Sequence, residues 1–141
     1  MAYRQDLLNS AKRHLRAADE LHGLTSAGSQ PACRAVAGYL FGLSGELAVK
    51  AMMRDSGMVP LAVDRRRDDP FYAHFPELKS RLRDTLKGRR SGELRRISET
   101  SALFQNWDTD MRYAPTADIQ DAWVDSWKIS ARDLVDRMDS P

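Results

Sequence analysis

Between Arg34 and Arg54 the chain carries almost no charge, and its apolar residues recur with a helical period. At the α-helical 100° per residue, Val36, Leu40, Leu43, Leu47 and Ala51 fall on one stripe, while Gly38, Gly42, Gly45 and Val49 fall on a second. The remaining arc holds Ala37, Phe41, Ser44, Ala48 and Met52. A helix that is apolar or small nearly all round is enclosed by neighbours, so this one is expected at the centre of a bundle. Tyr39, Glu46 and Lys50 project between the two stripes.

The same period predicts a first helix from Tyr3 to Leu21, with Leu7, Ala11, Leu15 and Ala18 on its apolar face and Gly23 as its stop. Gly28 to Pro31 reads as a linker, and Pro31 suits the first turn of the central helix, which should end near Gly57. Met58 to Tyr72 has no helical period and is longer than ordinary helix connections. Phe75, Leu78, Leu82 and Leu86 mark a short third helix stopped by Gly88. Leu94, Ile97, Ser101 and Phe104 mark a fourth, with Ser91 as its N-cap. Asn106 to Pro115 is a non-helical elbow, because the residue before a proline avoids the helical region. Thr116 should cap a last helix whose core stripe is Ile119, Trp123, Trp127, Ser130, Leu134 and Met138. No stretch alternates with period two for long enough to be a strand. The expected fold is all-α, a single domain over residues 1–141, packed as an up-down bundle of about five helices.

Glycine costs a helix about 1 kcal/mol relative to alanine, so Gly38, Gly42 and Gly45 imply a close contact that needs them. Another helix of the same chain or a two-fold mate would satisfy that need. The leading expectation is a homodimer whose seam is Gly38, Gly42, Gly45 and Val49.

Composition narrows the chemistry. With 42 % hydrophobic and 30 % charged residues over 141 positions, the chain can bury a core without staples. A single cysteine, Cys33, excludes an intrachain disulfide, and three histidines form no cluster of metal-ligand spacing, so no metal or other cofactor is expected. Glu46 and Lys50 interrupt the longest apolar run, which leaves no candidate membrane span. A soluble, cytoplasmic protein is expected. The net charge is +2, yet it is unevenly spread, with eight basic residues between Lys79 and Arg96 and eight aspartates from Trp107 onward. Two solvated helix faces that attract each other or a symmetry mate account for this better than a nucleic-acid footprint.

Few residues carry candidate chemistry. Glu46 and Lys50 stand i, i+4 with the acid first, the favourable order for a helical ion pair, at a border that both stripes want buried. His74 opens the third helix, seven positions after Arg67. Arg112 and Tyr113 stand in the elbow, where a guanidinium fork suits a phosphate or carboxylate unless Asp108 or Asp110 claims it. His14 and His22 flank the first helix's apolar face and read as packing residues. There is no Gly-rich phosphate loop and no Ser or Cys nucleophile in a recognisable motif.

GELAVKAMM (Gly45 to Met53), AHFPELKSRL (Ala73 to Leu82) and MRYAP (Met111 to Pro115), in that order and followed by an amphipathic helix, resemble the prokaryotic HEPN domains. The resemblance spans nearly the whole chain. It implies a small helical bundle that dimerises, either as a ribonuclease, often a toxin paired with a nucleotidyltransferase-type antitoxin, or as a module that binds nucleotides or partners. In the ribonucleases an Arg-x4-6-His motif supplies the composite site. Here Arg112 occupies the arginine, but the positions where the histidine should stand are Ala117, Asp118 and Ile119, and no histidine follows His74. The resemblance therefore implies a nucleotide-, RNA- or partner-binding homodimer whose groove is lined by Glu46, Lys50, His74, Arg112 and Tyr113. In that groove Lys50 and Arg112 would hold phosphate, His74 would hydrogen-bond the ligand and Glu46 would orient Lys50. A metal-independent ribonuclease using Arg112 and His74 is the alternative, and a helical adaptor without a site is the third.

Overall fold

The computed structural model describes residues 3–24, 30–86 and 92–139. Five α-helices form among them: α1 (Leu7–Gly23), α2 (Pro31–Asp55), α3 (Glu77–Thr85), α4 (Gly92–Glu99) and α5 (Asp121–Met138). No strand occurs among the described residues, so the all-α expectation holds. Asp6 starts α1 by accepting from the Asn9 N–H at 3.2 Å, and Pro31 opens α2 as expected. Gly57 ends α2 in the left-handed region at φ +94°, where a side chain would be strained. Gly88 and Ser91, expected to stop α3 and start α4, lie outside the described residues.

Two boundaries differ from the expectation. Helix α4 ends at Glu99, so Ser101 and Phe104 belong to the turn that follows, where Phe104 and Asn106 take left-handed backbones at φ 52° and 69°. Thr116 begins a short 3-10 turn (Thr116–Asp118) rather than capping α5, and Ile119 is extended, one residue before the true cap position, Gln120. The long connection after α2 carries 3-10 turns at Val63–Asp68 and Pro70–Tyr72, and the elbow carries another at Thr109–Tyr113.

Helix α2 is the axis of the molecule, with α1 and α5 packed on it. Ser44 meets α1 by donating to the Ala11 carbonyl at 2.8 Å. The glycine stripe faces inward and is filled by rings of the same chain. A Cβ on Gly42 would stand 2.0 Å from the Trp107 indole, one on Gly45 2.5 Å from the Phe104 ring, and one on Gly38 3.0 Å from Trp127 and Val124. Trp107 seats itself further by donating its Nε1–H to the Gly38 carbonyl at 3.1 Å. Val49 is fully buried beside them. The expected homodimer seam along Gly38, Gly42, Gly45 and Val49 is thus an intrachain contact: the glycines admit large aromatic side chains, not a second backbone.

The leucine stripe is covered unevenly: Ala51 is buried and Leu40, Leu43 and Leu47 pack against the core. Val36 is 51 % exposed, and Leu40, Leu43 and Leu47 are only partly buried. With α1, the glycine side and the loops covering the other arcs, this stripe is the least covered side of α2, and Val36 is its exposed end.

Among the described residues, several cations of the basic stretch bond carbonyl groups. Lys79 donates to Thr100, Ser101 and Leu103 oxygens at 3.1, 3.3 and 2.8 Å, Arg83 donates to Ser98 O at 2.8 Å, and Arg95 donates to Leu86 O at 3.1 Å. These cations stabilise helix and turn C-termini, where carbonyls lack intrahelical partners. The acidic side of α5 turns mainly to α1 and α2, through His22 with Asp125 and Arg34 with Asp121. Arg137 of α5 holds Glu93 of α4 at 2.9 Å, opposite in polarity to the expected pairing.

Candidate functional site

On α2 the residues Tyr39, Glu46 and Lys50 share one line, because intervals of seven and four residues bring a helix back to nearly the same face. Glu46 is 3 % exposed, and both of its carboxylate oxygens are engaged. Phe75 N–H donates to Oε1 at 2.8 Å and His74 Nδ1–H donates to Oε2 at 2.9 Å. Burial raises the Glu46 pKa above the ordinary carboxylate value, and the His74 hydrogen bond, the Lys50 charge, the His74 charge and the Phe75 amide oppose that rise in decreasing order. The His74 side chain is itself 54 % exposed. A buried acceptor on Nδ1 fixes the ring's orientation and tautomer and leaves Nε2 for solvent or a ligand.

The expected Glu46–Lys50 ion pair is therefore replaced. Glu46 orients His74, which lies 28 positions away, and influences Lys50 only electrostatically. Lys50 is 8 % exposed and is neither hydrogen-bonded nor ion-paired to any described residue. Desolvation lowers its pKa, against the opposing pull of Glu46 and Asp69.

Asp69 escaped the sequence reading, since it sits in a loop crowded with other aspartates and arginines. It is 1 % exposed, accepts from Leu61 N–H at 2.8 Å and Phe71 N–H at 3.0 Å, and so ties the long loop together. The signal that could have found it is its place before Pro70, where an aspartate caps a proline-initiated turn. A cavity of about 220 Å³ lies against Asp69, between the ends of α2 and α3, with Met58, Val59, Leu61 and Pro70 in its walls. None of the five expected site residues lines it.

Arg112 and Tyr113 stand apart from the Glu46–His74 pair. Arg112 Nη1 donates to the Tyr39 hydroxyl at 3.4 Å and its guanidinium lies 4.9 Å from the centre of the Tyr113 ring. It pairs with neither Asp108 nor Asp110 among the described residues; Asp108 caps its own turn by accepting from the Asp110 N–H at 2.9 Å. Tyr39 in turn stacks on Trp107, ring centres 5.6 Å apart, and the edge of Trp107 meets Phe75 at 6.5 Å. The structure thus sets His74 and Arg112 at two stations of one line on α2, joined through Tyr39, Trp107 and Phe75. Seven residues separate Tyr39 from Glu46, about 10 Å along the axis. Arg67 is exposed and makes no bond to His74, so the Arg67–His74 spacing has no structural counterpart.

Compared with known proteins, the chain matches no family model, no curated protein and no solved structure. Its class follows from its own geometry: an all-α bundle around α2 that presents a carboxylate-held imidazole and, along the same helix, an aromatic-backed guanidinium. No group of residues suited to holding a metal occurs among the described residues. No helix there is long and apolar enough to cross a membrane.

Proposed function

We propose that the chain is a HEPN-like module that binds a nucleotide or a short single strand of RNA along α2, acting as a homodimer and, in the wider system that the resemblance implies, with a nucleotidyltransferase-type partner. The observation that carries this reading is Arg112: a guanidinium free of carboxylate partners, backed by Tyr39 and lying over Tyr113, which is 77 % exposed. An arginine with exposed aromatic rings suits a phosphate and a base at once, the first by its fork of donors and the second by stacking. His74 Nε2 offers the next hydrogen-bonding group along the line. The homodimer moves to the least covered side of α2, where exposed Val36 and partly exposed Leu40, Leu43 and Leu47 form an uncharged apolar stripe.

Calorimetric titration with adenosine mono- and triphosphate and with a short single-stranded RNA tests the binding reading. Wild-type protein should bind at least one of these, and Arg112→Ala should weaken that binding about tenfold or more, the usual worth of a hydrogen bond to a charged group. Absence of heat with every ligand would sink it.

The Glu46–His74 pair favours a second reading, a metal-independent ribonuclease in which His74 Nε2 moves the proton of the attacking 2′-hydroxyl. Incubation with single-stranded RNA separates the two. Cleavage that disappears in His74→Ala while binding persists supports the enzyme, and cleavage indifferent to His74→Ala removes it.

A further inference from the structure

A second arginine lies over a second tyrosine at the other end of the line. The Arg66 guanidinium stands 4.8 Å from the centre of the Tyr72 ring, close to the 4.9 Å of Arg112 over Tyr113. Arg66 is exposed and ion-pairs with no carboxylate among the described residues. The acids beside it have other donors: Asp68 takes Arg65 and Arg81, and Asp69 takes the Leu61 and Phe71 amides. Tyr72 is 40 % exposed, and the backbone of Ala73 after it is extended. An extended residue sends its two neighbours to one side, and burial follows that alternation, with Ala73 and Phe75 inward and Tyr72 and His74 outward.

The order along α2 follows. Asp69 stands close enough to Lys50 for its charge to oppose the lowering of the lysine's pKa, while Phe75 N–H is on Glu46 and the Phe75 ring meets Trp107. The segment from Asp69 to Phe75 therefore runs from the Lys50 level of α2 towards Tyr39, and Tyr72 lies beyond His74 as seen from Arg112. His74 is flanked by an arginine–tyrosine pair on each side, about 7 Å along the extended chain to Tyr72 and about 10 Å along α2 to the Arg112 level.

We propose that Arg66 and Tyr72 form a second base-stacking station, so that the groove takes a single strand laid from Arg112 past His74 to Tyr72 and not a lone nucleotide. The inference rests on the reading of Arg112 as a nucleotide-binding group and names which ligand that groove prefers. A stacked strand advances about 3.4 Å per nucleotide, so about five span the two stations. Each guanidinium receives a phosphate and each ring a base. Stacking on a ring accepts any base, so little sequence preference is expected.

Fluorescence anisotropy with end-labelled 2′-O-methyl oligoadenylates of two and six nucleotides tests it, the methyl group preventing cleavage through the 2′-oxygen. The longer strand should bind wild-type protein about tenfold or more tighter than the shorter, and Tyr72→Ala should weaken it about fivefold or more, the lower worth of one stacked base. Tyr72→Phe keeps the ring and should keep the affinity, which separates stacking from a folding defect. Arg66→Ala should flatten the salt dependence by about one phosphate contact. Equal affinity for the two lengths overturns the proposal, as does a longer-strand affinity indifferent to Tyr72→Ala and Arg66→Ala, or a loss in Tyr72→Phe as large as in Tyr72→Ala. If Arg112→Ala alone weakens binding, the second station falls and the nucleotide reading stands; if neither strand binds, both fall.

Discussion

At the scale of single residues, Glu46 does the most with its position. Its carboxylate is buried by the packing around α2, yet it holds both an imidazole and a backbone amide. Because its folded pKa is raised, the folded chain retains a proton that the unfolded chain has released once the pH passes the ordinary value of 4.5. Stability contributed at Glu46 is therefore greatest below that value and declines as the pH climbs to the raised folded one. Glu46→Gln keeps an amide oxygen for Phe75 and removes the titration. Denaturant melts across the acid range should show wild type losing stability relative to E46Q as pH rises; a constant difference would place the titration elsewhere. The sequence made Glu46 conspicuous as a charge in an apolar helix, and it suggested Lys50 as its partner because an i, i+4 pair is visible along the chain. The true partner comes from a loop, and no local spacing encodes that contact. Asp69 was hidden for the same reason: what distinguishes it from Asp64 and Asp68 is burial, and burial there is decided by the loop folding back on itself around its carboxylate.

At the scale of elements, helical period located all five helices, and it erred at ends where a turn competes with one more helical residue. The face of α2 was misassigned for a clearer reason. Hydropathy ranks side chains, so leucines look like core and glycines look like backbone contact, whereas here absent side chains made room for three aromatic rings. The substitution that normally strengthens a helix should therefore weaken this one. Gly42→Ala gains helix propensity of about 1 kcal/mol but forces a methyl into the Trp107 indole, and overpacking of that kind costs about 1–3 kcal/mol, so a net loss is expected. Thermal and denaturant unfolding would measure it, and a G42A protein more stable than wild type would contradict this packing. The same variant should leave the oligomeric state unchanged, since the stripe is internal.

At the scale of the whole molecule, α2 is covered on the α1 side, the glycine side and the loop side, and its leucine stripe is what remains. A second copy there would bring two Tyr39–Glu46–Lys50 lines to the edges of one seam. Val36→Glu places a charge on the exposed end of that stripe without touching the buried rings. Sedimentation should then give a monomer of undiminished thermal stability beside a dimeric wild type; a wild type that is monomeric well above micromolar concentration removes the dimer. The charge asymmetry read from the sequence has a different meaning at this scale. Lys79, Arg83 and Arg95 are engaged with carbonyls of their own chain, so these three cations serve the fold as well as the surface charge.

Trp107 links these scales in one further way. It is seated by Gly42, anchored on the Gly38 carbonyl, stacked on the Tyr39 that holds Arg112, and in edge contact with the Phe75 whose amide holds Glu46. A random-mutation screen for lost ligand binding should accordingly return Gly42 and Trp107 alongside Arg112, and such core hits would be position effects transmitted to the surface, separable from true contact residues by their lowered melting temperature.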